Sequence, residues 1–189
     1  MDNPAAGNNS SSQQYFLQSS RLGFRYWSED DIGIATSLWC DDLVTKYIGG
    51  PFTPLQAQQR LFKEMAMQEQ FGMQYWPFFL LSTGAHLGCC GLRPYKPGEK
   101  IYELGFHLKS KYWGKGYATE AAQAIIKYAF GKYTPVALFA GHHPDNIASK
   151  RLLEQLHFEY MQDEMYEPTG LPHPSYLLTA LEYYRINGG

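Results

Sequence analysis

With 189 residues, the chain can bury a sizeable core without staples and fits the size of one domain. Its 16 Lys and Arg against 18 Asp and Glu leave a net charge of -2. That offers no general attraction to nucleic acid or an anionic membrane, so any phosphate binding must be local. Cys40, Cys89 and Cys90 lack disulfide or metal-ligand spacing and read as reduced, mostly buried thiols of a cytoplasmic protein. Adjacent Cys89 and Cys90 in a strand would point to opposite faces. No apolar run approaches the roughly 18 residues of a membrane span, and the N-terminus lacks the basic-then-apolar order of a signal peptide.

Residues 1–19 are rich in Asn, Ser and Gln and read mostly as a disordered tail, with residues 20–189 as one domain. From Leu22 to Trp27 the pattern is strand-like, and Ser28 with the acids after it starts a helix through about Trp39. Thr53 caps a second helix with Pro54 at its first position, ending near Gly72. Three strands follow, Tyr75 to Ser82, His86 to Arg93 and Ile101 to Leu108, separated by turn-rich segments, as in an antiparallel meander. Apolar residues at helical spacing from Tyr117 to Ala129 predict a third helix, and Val136 to Ala140 a strand. Pro144, Asp145 and Asn146 open a fourth helix, and strands are predicted near Phe158 to Tyr166 and Tyr176 to Glu182. The order predicts an α+β fold: a mixed, mostly antiparallel central sheet of about seven strands flanked by helices.

Ahead of the third helix stands Trp113-Gly114-Lys115-Gly116-Tyr117-Ala118-Thr119. Glycines let backbone approach a ligand, and the unpaired N–H groups of a helix's first turn favour an anion, so a phosphate site is the functional reading. A tight strand-to-helix connection is the plainer one. A dinucleotide fingerprint fits poorly, because Thr119 stands where its third glycine belongs and the preceding strands read as antiparallel. A Walker A loop is excluded by Gly116 after Gly114-Lys115.

Residues 113 to 121, Trp-Gly-Lys-Gly-Tyr-Ala-Thr-Glu-Ala, resemble the acyl-CoA signature of the GNAT N-acetyltransferase superfamily. The similarity is to the branch that includes ribosomal-protein N-terminal-alanine acetyltransferases, and it extends from Leu22 to Thr179. Tyr102-Glu103-Leu104-Gly105-Phe106 before the loop, and Asn146-Ile147-Ala148-Ser149 with Leu152 to Phe158 after it, carry it as well. Two departures stand out: Trp113 replaces the usual Gln or Arg, and His157-Phe158 replaces a Gly-Phe after the later helix.

The resemblance implies a GNAT-like fold and acetyl-CoA as cosubstrate, with no metal. It implies that backbone from Trp113 to Thr119, including Gly114, Lys115, Gly116, Tyr117 and Ala118, meets the pyrophosphate. It also implies that the strand at Phe106, His107 and Leu108 splays from its neighbour, commonly with a bulge, and meets the pantetheine arm, while Asn146 orders that arm. Alternation puts Glu103, Gly105 and His107 on one strand face, unless a bulge shifts the parity. Glu103 is thus the candidate base, directly or through water, with a solvated strand carboxylate as the plainer reading. Some family members carry a Tyr as the acid where Leu153 stands here, which makes the Ser149 hydroxyl the candidate for protonating the thiolate, as in the ribosomal-protein branch. Helix capping by Asn146 and surface exposure of Ser149 are the plainer readings. His142-His143 reads as a loop pair rather than a metal site.

The implied activity is acetyl transfer to a primary amine in a ternary complex. The acceptor would be a protein N-terminus or a small cationic amine, which Asp163, Glu164 and Glu167 would favour. Partners are then acetyl-CoA and that acceptor, with no nucleic acid and no membrane, the chain acting as a monomer or homodimer. A CoA-binding regulatory module without catalysis and a nucleotide-binding domain are the alternatives.

Overall fold

The computed structural model describes residues 15–188. Leu17–Gln18 forms β1, antiparallel to β2, Leu22–Phe24. Residues 15–19, assigned to the tail from composition, are therefore seated on the sheet; residues 1–14 of that expectation lie outside the described residues. The reason is local. Phe16 packs against the rings of Tyr26, Trp76 and Tyr128, and the Ser19 hydroxyl donates to Glu120 at 2.7 Å.

After a 3-10 turn at Glu29–Asp31, α1 spans Ile32–Trp39. The Asp31 carboxylate accepts from the Ser28 N–H at 2.8 Å and is gripped by Arg25 at 2.6 and 2.7 Å. A short α2, Asp42–Thr45, has no signature that the sequence pattern announces. In α3, Pro54–Phe71, the Thr53 hydroxyl accepts from the Gln56 N–H, the cap expected from the sequence, and the Gln56 amide oxygen accepts from the Thr53 N–H, which makes the cap reciprocal. Gly72, at φ +68, stops it.

The meander is β3, Tyr75–Leu80, β4, His86–Lys96, and β5, Ile101–Leu108. Then come α4, Tyr117–Lys132, β6, Ala137–Gly141, α5, Ile147–Gln155, β7, Glu159–Tyr166, and β8, Leu171–Thr179. β4 runs past its predicted end at Arg93, because a register shift between Pro94 and Lys96 absorbs the proline and keeps the strand paired. β8 starts earlier than predicted, through Pro172 and Pro174, and it stops at Thr179 rather than Glu182. There the Thr179 hydroxyl accepts from the Glu182 N–H and opens α6, Ala180–Asn187. His157 takes the left-handed conformation, φ +62, that a glycine usually holds after such a helix, so the departure leaves the stop in place.

The eight strands lie in the order β1-β2-β3-β4-β5-β6-β8-β7, antiparallel except for β5 beside β6, which makes the fold α+β with a mixed sheet. One face packs Leu92, Leu104 and Cys90 under Ile125 and Leu153 of α4 and α5; the other packs Cys89 and Tyr75 under Trp39 and Leu61 of α1 and α3. The adjacent cysteines thus face opposite ways. The β5–β6 ladder pairs Ile101, Tyr102 and Glu103 with Ala137, Leu138 and Phe139 and ends there, although β5 continues to Leu108 and β6 to Gly141. Beyond Glu103 the sheet splits. Among the described residues no helix is long and apolar enough to cross a membrane.

Candidate active site

The split is the origin of two joined cavities. One, of about 440 Å³, lies between the end of β5 and the start of α5 and is lined by Leu43, Val44, Ile147 and Leu152. Phe106, His107, Leu108, Trp113, Gly114, Ala118, Asn146 and Ser149 line it too, so most of the residues assigned to the cosubstrate come together there. Lys115, Gly116, Tyr117 and Thr119 form the entrance to α4 instead. Gly114 and Gly116 have φ of +72 and +75, a region that side chains with a Cβ avoid, which is why glycine stands at both positions. The first backbone bond of α4 runs from the Glu120 N–H to the Gly116 carbonyl, so the N–H groups of Tyr117, Ala118 and Thr119 have no acceptor within the helix. A glycine cradle, three free N–H groups and an apolar channel fit a pyrophosphate followed by a pantetheine arm.

Neighbouring groups hold this loop. The Trp113 indole N–H donates to the Leu108 carbonyl at 2.8 Å, so the residue in the usual Gln or Arg place ties the loop to β5. Arg21 donates to the Lys115 carbonyl at 3.2 Å, lies over the Tyr117 ring at 4.5 Å and pairs with Glu120 at 2.6 Å. Burial works against the Glu120 charge, but the donors from Ser19, Arg21 and Ser20 outweigh it and hold its carboxyl below the ordinary range.

The second cavity, of about 290 Å³, opens on the other side of β5 and shares Tyr47, Phe106, His107, Asn146 and Ser149 with the first. Residues 102–108 of β5 stay in register with β4, the irregularity lying at Pro94/Lys96, so the predicted alternation holds. Glu103, Gly105 and His107 share a face, and Tyr75 covers all three: its hydroxyl donates to Glu103 at 3.0 Å, its ring lies over Gly105, and it meets His107 edge-on at 5.8 Å. The Trp39 indole N–H donates to His107 Nδ1 at 3.0 Å, which leaves the proton of the neutral ring on Nε2. Burial first, then Arg60 and Arg93, push the His107 pKa well below its ordinary value.

Asn146 caps α5, its side-chain oxygen accepting from the Ser149 N–H at 3.1 Å, and it also lines both cavities. Of the three acids on the β7 side, Glu164 lines the second cavity; Asp163 turns to the Tyr160 hydroxyl at 3.2 Å. Glu164 accepts from the Tyr95 hydroxyl at 2.7 Å, and among the described residues no basic side chain pairs with it. Burial and Glu164 push the Tyr95 phenol up to about 12. Tyr95 stacks on Phe139 at 3.9 Å, at the bulge of β4. Above, the loop after α2 touches the β7–β8 turn, where a Cβ on Gly49 would lie 3.0 Å from the Pro168 carbonyl oxygen.

Sequence reasoning missed Tyr47, Arg60, Tyr75, Arg93, Tyr95 and Phe139 as cavity-lining residues. No motif marks them, because α3, β3, β4, β6 and the loop after α2 bring them together from far apart in sequence. His142 and His143 line the cavity as loop residues, and among the described residues no group of three His, Cys, Asp or Glu is placed to hold a metal.

Residues 21–159 match the acetyltransferase (GNAT) domain family. A Bacillus licheniformis protein, named as the uncharacterized N-acetyltransferase p20, is 29% identical over 147 residues, 76% of this chain and 82% of its own length. The crystal structure of a GNAT-family acetyltransferase from Bacillus anthracis aligns with a TM-score of 0.76 and 27% identity, over 86% of this chain and 97% of its own. RimL, described as a ribosomal L7/L12 alpha-N-protein acetyltransferase and solved with coenzyme A, shares the fold at a TM-score of 0.75 and 14% identity, over 89% of this chain and 99% of its own.

Proposed function

This chain belongs to the GNAT acetyltransferase family, and we propose that it transfers the acetyl group of acetyl-CoA to a primary amine by direct attack in a ternary complex within a single domain. The acceptor is a protein N-terminus or a small cationic amine. The observation that carries this reading is the split between β5 and β6: it joins a channel suited to a pantetheine arm to a cavity holding a carboxylate, with Ser149 at the junction.

Acetyl-CoA supplies the activated acetyl group. Free N–H groups at the start of α4 and the Gly114–Gly116 backbone hold its pyrophosphate. Backbone N–H groups on the unpaired edge of β5 stabilise the charge developing on the acetyl oxygen. Glu103 takes the amine proton, directly or through water, a step that matters more for an aliphatic amine of pKa about 10.4 than for an N-terminus near 8. The Ser149 hydroxyl, held at the first turn of α5 by the Asn146 cap, donates to the departing thiolate. The name of RimL supports an N-terminal acceptor; Glu164, with no basic partner among the described residues and beside the stacked Tyr95 and Phe139, supports a cation.

Thermal unfolding in saturating acetyl-CoA, CoA, ADP and NAD tests the donor assignment. Ligand at about a hundred times its dissociation constant adds roughly 2.7 kcal/mol. Stabilisation by acetyl-CoA and CoA but not by ADP or NAD is expected, followed by thiol release when an N-terminal peptide or a diamine is supplied. A cooperatively folded sample that neither CoA form stabilises refutes the assignment.

A further inference from the structure

We infer that Tyr75 is a positioning residue for the transfer reaction, aiming the Glu103 carboxylate at the acceptor amine; this rests on the reading of Glu103 as the base. The phenol reaches Glu103 because it crosses β5 where the strand has no side chain. A Cβ on Gly105 would collide with the Tyr75 ring and hydroxyl, so glycine there makes room for a tyrosine as well as leaving backbone bare. The hydroxyl then lies 3.0 Å from Glu103 Oε1 and donates to it. Burial, and after it the Glu103 charge, hold the phenol pKa well above its ordinary value, so the hydroxyl keeps the proton it donates.

Tyr75 is itself held from three sides. Its backbone N–H donates to Glu64 Oε2 at 2.9 Å, and Glu64 is fully buried. The Arg93 guanidinium lies 4.1 Å from the centre of the Tyr75 ring and is bound by the same Glu64. Arg60, one turn before Glu64 on α3, donates to its Oε1 at 2.9 Å. A carboxylate on α3 thus fixes an arginine on β4 and a tyrosine on β3, and the tyrosine fixes a carboxylate on β5.

Other groups face the same space. Arg93 and Tyr95 approach from β4, Arg60 from α3 with the buried Glu64 behind it, and Glu164 and Tyr166 from β7. His107 on β5 is neutral, and His142, His143 and His173 line the far wall. Among the described residues, Tyr75 is the one whose side chain donates a hydrogen bond to Glu103.

Tyr75→Phe keeps the ring over Gly105 and under Arg93 and removes only the donor. Turnover is measured at pH 8 with a short peptide carrying a free N-terminus and with 1,4-diaminobutane. kcat is expected to fall about tenfold, because a carboxylate that has lost its donor is no longer aimed at the amine. The KM for acetyl-CoA stays unchanged, as does thermal stabilisation by CoA. In a Glu103→Gln background Tyr75→Phe adds nothing. An unchanged kcat overturns the inference; so does a loss that persists in full beside Glu103→Gln, since that describes a packing role. Full activity of Glu103→Gln overturns the base reading instead, which separates the two failures. Should Tyr75→Phe fail to fold, 4-fluorophenylalanine incorporated at position 75 fills the place of the hydroxyl without donating and must show the same loss; parent kcat there overturns the inference.

Discussion

Glu64 is the buried charge on which the acceptor side is built, and its removal has a cost the structure lets one work out. Its side chain is 0% exposed and accepts from Arg60, Arg93 and the Tyr75 N–H. Burial works against the Arg93 charge, but the carboxylates of Glu64 and Glu103 more than offset it and hold its pKa above the ordinary value. Glu64→Ala strands both guanidiniums and the amide. Deleting one member of a buried pair costs about 3–5 kcal/mol, and side-chain exposures of 18% for Arg60 and 15% for Arg93 point to the lower end, about 3. The orphaned amide adds about 1 kcal/mol, for a total of about 4. In a chain of this length each kcal/mol moves Tm by about 2–4 °C, so a fall of about 8–16 °C is expected. Glu64→Gln keeps an acceptor for the amide and loses the charge, and should fall about 6–12 °C. Calorimetry with a parallel guanidinium titration, checked for an unchanged m-value, reads both variants. A loss below about 1 kcal/mol for Glu64→Ala would refute the reasoning, as would equal losses for the two variants, since the charge would then contribute nothing.

Gly116→Ala forces a side chain onto φ +75 while its Cβ meets only ordinary contact with Arg21 at 3.6 Å, so the cost of about 1–2 kcal/mol lies in the backbone. The KM for acetyl-CoA should rise about tenfold with kcat little changed, and an unaltered KM counts against the loop as a phosphate cradle. Ser149→Ala should lower kcat by about a hundredfold without weakening CoA binding, measured by calorimetry; full turnover removes Ser149 from the mechanism. His86 has its pKa lowered to about 3, by burial first and then by Lys109, so below pH about 6.5 the unfolded chain binds a proton that the folded chain refuses. Stability is therefore lost as pH falls from about 6.5 toward 3, by about 2 kcal/mol at pH 5 from this group. A His86→Gln variant should show a flatter fall of Tm between pH 7 and 5, and parallel curves would contradict the sign.

Much of the fold was legible because its signals are local. Thr53-Pro54 names its own helix start, Gly72 its stop, and the alternation of β5 survives because the irregularity sits at Tyr95 in the neighbouring strand. What was misread depended on contacts across the chain. Residues 15–19 look like tail by composition, yet Phe16 finds Trp76 and Tyr128, and Ser19 finds Glu120, about a hundred residues away. Pro172 and Pro174 hide the start of β8, and a threonine cap turns its predicted end into α6.

The two halves of the candidate site differ in the same way. The cosubstrate side is written in consecutive residues, since two left-handed glycines and the first turn of α4 must follow one another to present their N–H groups together. The acceptor side is assembled from α3, β3, β4, β5 and the β7–β8 hairpin, and its aromatic residues look in sequence like ordinary core. One local feature did carry information. Gly105 sits between Glu103 and His107 on the face that Tyr75 crosses, and a glycine in the middle of a strand weakens it unless something must come close. What comes close in this fold is the ring that donates to Glu103, so the glycine that reads as bare backbone for a ligand is equally the space through which one side chain orients another.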